Sequence, residues 1–175
     1  MAKHTSLRDR FLGFAGGHFM LSAIGVLGAF TMLGSDGEPW SAAIVGLLML
    51  LYVPAGAAAA ALLEWNRPTV REWLQAGALV GGVACLWGFG GFALCWAGPL
   101  SYLGFLALLS TAFLASPSFC LMVWVGLDGL NVTGLSLWPR WYLATAAAAL
   151  LPPVLFFLGT LLCPEKRAAE GGEPL

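Results

Sequence analysis

Charged residues are scarce in this sequence. Lys, Arg, Asp and Glu together make up 10% of its 175 residues, against about 25% in an ordinary soluble domain. Hydrophobic residues make up 59%, which is more apolar side chain than a soluble fold of this length can bury. The eight basic and nine acidic residues leave a formal charge of −1, so no net field favours nucleic acid as a partner. The composition predicts a membrane protein in contact with the lipid bilayer.

Groups that carry chemistry are also scarce. The long apolar runs contain no Asp, Glu, Lys or Arg, and His18 is the one imidazole within them. Proton-coupled carriers, voltage sensors and intramembrane hydrolases need ionisable groups at membrane depth. The four cysteines, Cys85, Cys95, Cys120 and Cys163, form no C-x-x-C pair and share no metal-ligand spacing with histidine. We therefore expect no catalytic residue, no metal site, no bound cofactor and no enzyme activity.

Five apolar runs are long enough to cross a bilayer, which takes about 20 residues of helix. Continuous apolar runs of this length are typical of helices, because barrel strands alternate polar and apolar residues. The sequence predicts an all-α, polytopic transmembrane helical bundle, a single membrane domain over residues 1–175 with a short polar tail at 164–175. The predicted spans cover residues 11–33, 41–63, 74–97, 100–125 and 142–162.

Basic residues indicate the orientation of the bundle, because cytoplasmic loops retain Lys and Arg during insertion. Three precede the first run, two lie between the second and third, one lies between the fourth and fifth, and two follow the fifth. With five spans, six of the eight basic residues share the side of the N-terminus. With four spans, in which the third or fourth run dips in without crossing, seven of the eight do. The pattern predicts a cytoplasmic N-terminus and leaves the side of the C-terminus open.

The fourth run allows two interpretations. The third run is joined to it by Ala97-Gly98-Pro99-Leu100, which suits a sharp reversal between helices. A second break at Ser116-Pro117-Ser118 allows an alternative in which the run ends early. Residues 119–125 then form a partial helix at the membrane interface. Five spans are the main prediction, and four spans are the alternative.

Small residues recur at four-residue spacing in several runs. Such spacing lets helix backbones approach closely in a membrane, where no hydrophobic force operates between helices. We expect these positions to pack helices within the bundle, with assembly onto other subunits as the alternative. The candidate packing positions are Gly13, Gly17, Gly77, Gly81, Ala84 and Gly88.

Prolines lie inside three of the runs, at Pro54, Pro117 and Pro152-Pro153. Each proline removes a backbone donor and clashes with the preceding turn, so a kink or a break is expected at each place. The adjacent pair leaves two carbonyls unpaired at membrane depth. They need a neighbouring helix, a hydroxyl such as that of Thr145 or Thr160, water or an ion as a partner.

His18 lies about a third of the way along the first run, beside Gly16 and Gly17. The main interpretation is a histidine that bonds a carbonyl across a helix interface. The alternative is a haem ligand or a proton-handling group. His18 and the prolines Pro54, Pro152 and Pro153 are the candidate functional residues of the sequence.

The stretch Leu62-Leu63-Glu64-Trp65-Asn66-Arg67, followed by Thr69, Trp73 and Gln75, resembles the small light chain of the phagocyte NADPH oxidase. The resemblance covers about fourteen of the 175 residues. The basic stretch after the arginine and the proline-rich tail of that family are missing, and this sequence has one apolar run more. We carry no function over from it.

Two functional hypotheses remain. The leading one is a non-enzymatic accessory or scaffolding subunit of a membrane complex, bound to other membrane protein subunits or to a second copy of itself. It rests on the small-residue stripes and the nearly charge-free interior. The alternative is a carrier or channel for a small neutral or apolar solute that uses the proline-broken second and fifth spans. A cavity that reaches Pro54 and Pro152-Pro153 together favours this alternative.

Overall fold

A computed structural model of the chain describes residues 5–33, 39–126 and 139–162. The described residues form helices and no strand, as the sequence predicts. The loop residues 34–38 and 127–138 and the polar tail 164–175 lie outside the described residues. The helices are α1 (Leu7–Leu33), α2 (Pro39–Leu50), α3 (Tyr52–Leu62), α4 (Val70–Cys95), a short 3₁₀ turn (Gly98–Leu100), α5 (Ser101–Leu114), α6 (Ser116–Gly126) and α7 (Pro139–Leu161).

Four helical stretches among these residues are long and apolar enough to cross a membrane. They correspond to the first, second, third and fifth predicted spans. Their bounds are Leu7–Phe30, Ala42–Leu62, Val70–Cys95 and Tyr142–Leu161. The second stretch combines α2 and α3, which are separated by one residue, Leu51.

The fourth predicted span differs from the prediction of one helix over residues 100–125. It consists of α5 and α6, which meet at a bend of 115°. Pro117 has no N–H to continue α5, and its ring clashes with the carbonyl four residues earlier. Ala115 therefore leaves the helical conformation, with φ −144° and ψ 49°. The break lies where the four-span alternative places it, and the residues of α6 from Phe119 to Val123 are buried within the protein.

The two other proline sites differ from each other. At Pro54, helical hydrogen bonds continue on both sides of Leu51, yet the Leu50 carbonyl lacks its donor four residues on. Leu51, between α2 and α3, keeps helical dihedral angles, φ −62° and ψ −19°, and residues 42–62 together form one candidate span. At Pro152-Pro153, by contrast, α7 continues without a break. The surrounding bundle holds the pair in helical conformation, since both prolines are fully buried.

Contacts between neighbouring helices fix their directions. Helix α1 runs parallel to α4, because Arg10 and Glu72 form an ion pair at the start of both. Helix α7 runs antiparallel to α4, because Gly81 faces Leu150 and Gly88 faces Thr145. The end of α7 therefore lies level with the start of α1.

The α5–α6 pair enters and returns at one end of the bundle. Helix α5 runs antiparallel to α4, since Gly104 lies against the Cys95 backbone. Helix α6 then runs parallel to α1, because Gly25 faces Ser116 and Gly28 faces Cys120. The bend lies beside the middle of α1, so the pair turns round at about half the depth of the bundle.

Glycines make the closest backbone contacts in the bundle. Helices α3 and α7 cross where a Cβ at Gly56 would overlap the Phe156 carbonyl and a Cβ at Gly159 would overlap the Val53 carbonyl. Such backbone contact adds van der Waals and weak Cα–H hydrogen bonds. This crossing joins the second and the last of the four long helical stretches.

The predicted packing positions have different surroundings. Gly81 and Gly88 face α7, as stated above, while Gly13 lies under the Trp65 ring and Gly17 under the Phe156 ring. Ala84 lines a cavity, which is described below. Gly77 differs from the prediction, because a Cβ there meets no atom within 4 Å. It lies on the part of α4 that no other described helix covers.

We predict opposite responses to alanine at two glycines. Gly56→Ala places a methyl group on the Phe156 carbonyl and should lower the free energy of unfolding by about 2 kcal/mol or more. Gly77→Ala meets open space and should change it by less than about 0.5 kcal/mol. Reversible unfolding in mixed micelles measures both. Equal losses in the two variants would contradict the α3–α7 crossing.

Candidate functional site

One cavity brings together most of the predicted functional positions. It lies between α1, α4, α5, α6 and α7 and has a volume of about 420 Å³, within the range of ligand sites. Its lining includes His18, Ala84, Gly88 and Pro152-Pro153. Pro54 is exposed on the outer face of α3 and lies outside the cavity. This cavity therefore does not bring Pro54 together with Pro152-Pro153, as a carrier with broken second and fifth spans would require.

The walls of the cavity are apolar and rich in aromatic rings. Phe11, Phe14 and Phe119 contribute to the lining, together with Phe19 and Trp87. Phe19 is 64% exposed and Trp87 is 52% exposed, so these two rings mark the mouth. The cavity opens on the lateral surface of the bundle between α1 and α4, the surface that faces lipid in a membrane.

His18 is held by a hydrogen bond to α3. Its Nδ1 lies 2.6 Å from the Tyr52 hydroxyl, and Phe14 stacks on its ring at 5.3 Å. Tyr52 is fully buried, and His18 is the one hydrogen-bond partner of its hydroxyl among the described residues. We assign the hydroxyl as the donor to Nδ1, which places the imidazole proton on Nε2. The bond crosses a helix interface as expected, but the partner is a hydroxyl instead of a carbonyl.

The proline pair changes the backbone on the opposite wall. Pro152 and Pro153 provide no N–H for the carbonyls of Ala148 and Ala149, and all four residues line the cavity. The Thr160 hydroxyl donates to Phe157 in its own helix and does not reach these carbonyls. The carbonyls of Ala148 and Ala149 therefore lack the N–H that an uninterrupted helix would provide.

The first turn of α6 contributes a third polar region. Ala115, Ser118 and Phe119 line the cavity, so the positive end of the helix dipole lies at its wall. Pro117 occupies this turn without an N–H to satisfy. The Ser116 hydroxyl donates to the Ser22 carbonyl of α1 at 2.6 Å and anchors the turn.

The cavity offers groups for hydrogen bonding. His18 is the one titratable side chain in its lining, and the Tyr52 hydroxyl is bonded to it from outside the lining. Within residues 5–33, 39–126 and 139–162, no three His, Cys, Asp or Glu side chains come together as metal ligands. The arrangement can hold an apolar molecule and orient one polar group of it.

A polar cluster that the sequence did not reveal lies at the N-terminal end of α1. Arg10 is 2% exposed, its Nη2 lies 3.6 Å from Glu72, and its guanidinium lies over the Trp65 ring at 5.8 Å. It also donates to the Asn66 carbonyl at 3.3 Å. Arg10 stands before the first predicted span and looked like an ordinary basic flank. Its partners belong to a distant loop, so no local pattern could have identified it.

The residues of the light-chain resemblance thus have local structural roles. Thr69 and Glu72 form a reciprocal capping box at the start of α4, while Trp65 and Asn66 hold Arg10. These contacts tie the loop between α3 and α4 to the start of α1.

Comparisons with known proteins give no relative. No family model matches the chain, and neither a curated protein nor a solved structure matches it. The functional argument therefore rests on the residues and contacts described above.

We predict that the hydroxyl of Tyr52 stabilises the fold through His18. Tyr52→Phe leaves Nδ1 of His18 without its donor and should lower the free energy of unfolding by about 1 kcal/mol. Tyr102→Phe is the matched control, because Tyr102 is 67% exposed and should be neutral. Chemical unfolding of both variants in the same detergent measures the difference. Equal stability of the two variants would rule out a structural role for this bond.

Proposed function

We propose that the chain is a non-enzymatic integral membrane protein that acts as an accessory subunit. In this proposal it holds a transmembrane helix of a partner protein against α1 and α3. The observation that carries the proposal is a groove of about 720 Å³ between these two helices. We refer to it as the α1–α3 groove.

The floor of the α1–α3 groove consists of small residues. It is formed by three glycines of α1 and three alanines of α3, and larger side chains such as Met20 and Leu62 form its rims. Trp65 and Phe156 lie over Gly13 and Gly17, but a Cβ at Gly16 meets no atom within 4 Å. A foreign helix can therefore approach the backbone of α1 at Gly16, the geometry that drives helix association in lipid. The floor residues are Gly13, Gly16, Gly17, Ala55, Ala58 and Ala59.

The length of the groove also suits a helix. It extends along α1 from Asp9 to Ile24, which is about 22 Å at 1.5 Å per residue.

We further propose four spans and a re-entrant α5–α6 pair, with both the N-terminus and Leu162 on the cytoplasmic side. The directions of α4, α6 and α7 support this arrangement, because α6 returns to the end of the bundle at which α5 begins. The basic residues support it too, since seven of the eight share the cytoplasmic side.

The alternative function, a carrier or channel, has less support. It predicts that Pro54 and Pro152-Pro153 line one cavity, but Pro54 is exposed and does not line it.

Filling the groove should release the partner. Gly16→Leu adds a side chain where a Cβ meets no atom within 4 Å, so it should occupy the α1–α3 groove without disturbing the fold. Gly82→Leu is the matched control, because Gly82 is equally unobstructed but belongs to α4. After extraction in mild detergent, a stoichiometric partner should accompany the wild-type chain and Gly82→Leu. We expect its recovery with Gly16→Leu to fall at least about tenfold.

Two results would count against the accessory role. One is full recovery of the partner with Gly16→Leu, which would place the interface elsewhere. The other is a monomeric wild-type chain that carries no stoichiometric partner in its native membrane. Recovery of a second copy of this chain, lost with Gly16→Leu, would replace the foreign partner by a homo-oligomer.

The membrane topology has its own test. Green fluorescent protein fused after Leu175 should fluoresce in a bacterial host, and alkaline phosphatase fused at the same place should be inactive, because both then remain cytoplasmic. Gly98 follows the C-terminal end of α4. A fusion after Gly98 should give active phosphatase and no green fluorescence. An active phosphatase after Leu175 would support five spans and refute the re-entrant pair.

A further inference from the structure

We infer that the cavity around His18 binds a lipid-soluble ring compound through an oxygen atom on the ring. The site is distinct from the α1–α3 groove and goes beyond the proposed accessory role. Its occupant would be a hydroxyl- or carbonyl-bearing apolar molecule, of which sterols and isoprenoid quinones are the two common membrane sources.

The entrance favours a ligand that arrives from lipid. Phe19 and Trp87 at the mouth are more than half exposed on the lateral surface of the bundle, as are Val83 and Leu114. No Asp, Glu, Lys or Arg lines the cavity, so it offers no counter-charge for a phospholipid headgroup. Aromatic walls suit a flat ring, since rings stack face to face or edge to face.

The donor for the ligand oxygen is Nε2 of His18. The Tyr52 hydroxyl occupies Nδ1 and fixes both the tautomer and the plane of the ring. Nε2 therefore carries a proton and has no hydrogen-bond partner among the described residues. An oxygen acceptor that reaches Nε2 from the cavity therefore gains a hydrogen bond for which no described protein group competes. Ser118, in the first turn of α6, adds a hydroxyl to the same cavity.

The opposite wall can receive a proton donor. The carbonyls of Ala148 and Ala149 have no helical N–H, because Pro152 and Pro153 stand four residues on. A hydroxyl on the ligand can accept from His18 and donate to one of these carbonyls. A quinone can only accept. Comparison of the two ligand classes therefore shows whether the proline wall takes part in recognition.

The experiment uses the purified full-length chain in lipid nanodiscs. Binding of cholesterol, decylubiquinone and decylbenzene is measured by competition with a tritiated sterol and a tritiated quinone. Decylbenzene keeps an apolar ring and tail but carries no oxygen. We expect saturable binding of at least one oxygen-bearing ligand and at least tenfold weaker binding of decylbenzene.

Two variants locate the site. His18→Phe removes the donor and keeps a ring of similar size, while Ala84→Phe fills the cavity from α4. Each should weaken binding at least tenfold. Ala58→Phe, which places the same side chain in the α1–α3 groove, is the matched control and should bind like the wild type.

Each possible result either identifies the class of ligand or overturns the inference. Tighter binding of cholesterol than of decylubiquinone assigns the site to a sterol, and the reverse assigns it to a quinone. Absence of saturable binding of both, or equal binding of decylbenzene, would overturn the inference. So would undiminished binding by Ala84→Phe. If a variant fails to fold, a photoreactive sterol or quinone is cross-linked to the wild-type chain instead. The label should appear on α4 and α6 and not on α3.

Discussion

The structure depends on one constraint, which is that a backbone at membrane depth must find all its hydrogen-bond partners within the protein. The bend between α5 and α6 meets this constraint at a place where two helix ends lie inside the bundle. Ala115 donates to the Thr111 carbonyl, Pro117 has no N–H to satisfy, and Ser116 donates to α1. The hydrogen bond from Ser116 requires a glycine at position 25, because a Cβ there would lie 2.5 Å from the Ser116 hydroxyl oxygen.

The cavity follows from this bend. Because α6 turns back beside α1, no full-length fifth helix fills the space between α1, α4 and α7 near the start of α1. Aromatic side chains such as Phe14 and Phe119 line what remains, and His18 supplies its titratable group. The α1–α3 groove has a different origin, since it arises from the small residues of two long helices. The two proposed sites can therefore fail or succeed independently.

The sequence predicted the features that depend on local composition. Four of the five apolar runs are helices that could cross a membrane, because twenty apolar residues have few other stable forms. It could not tell a straight run from a bent pair, since α5 and α6 are as apolar as a span. Nor could it decide which face of a helix a glycine occupies, which is why Gly77 was named and Gly159 was not. The pairing of His18 with Tyr52, 34 residues away, depends on tertiary structure alone.

The most direct test of the re-entrant pair is a disulfide between α1 and α6. A Cβ at Gly28 lies 4.0 Å from the sulfur of Cys120, close to disulfide geometry. Gly28→Cys, with Cys85, Cys95 and Cys163 replaced by alanine, should form an intramolecular disulfide on mild oxidation in native membranes. If residues 100–125 formed one straight helix, Cys120 would lie about 30 Å from the start of that helix, near the opposite surface. Absence of the disulfide in the folded variant would then contradict the account.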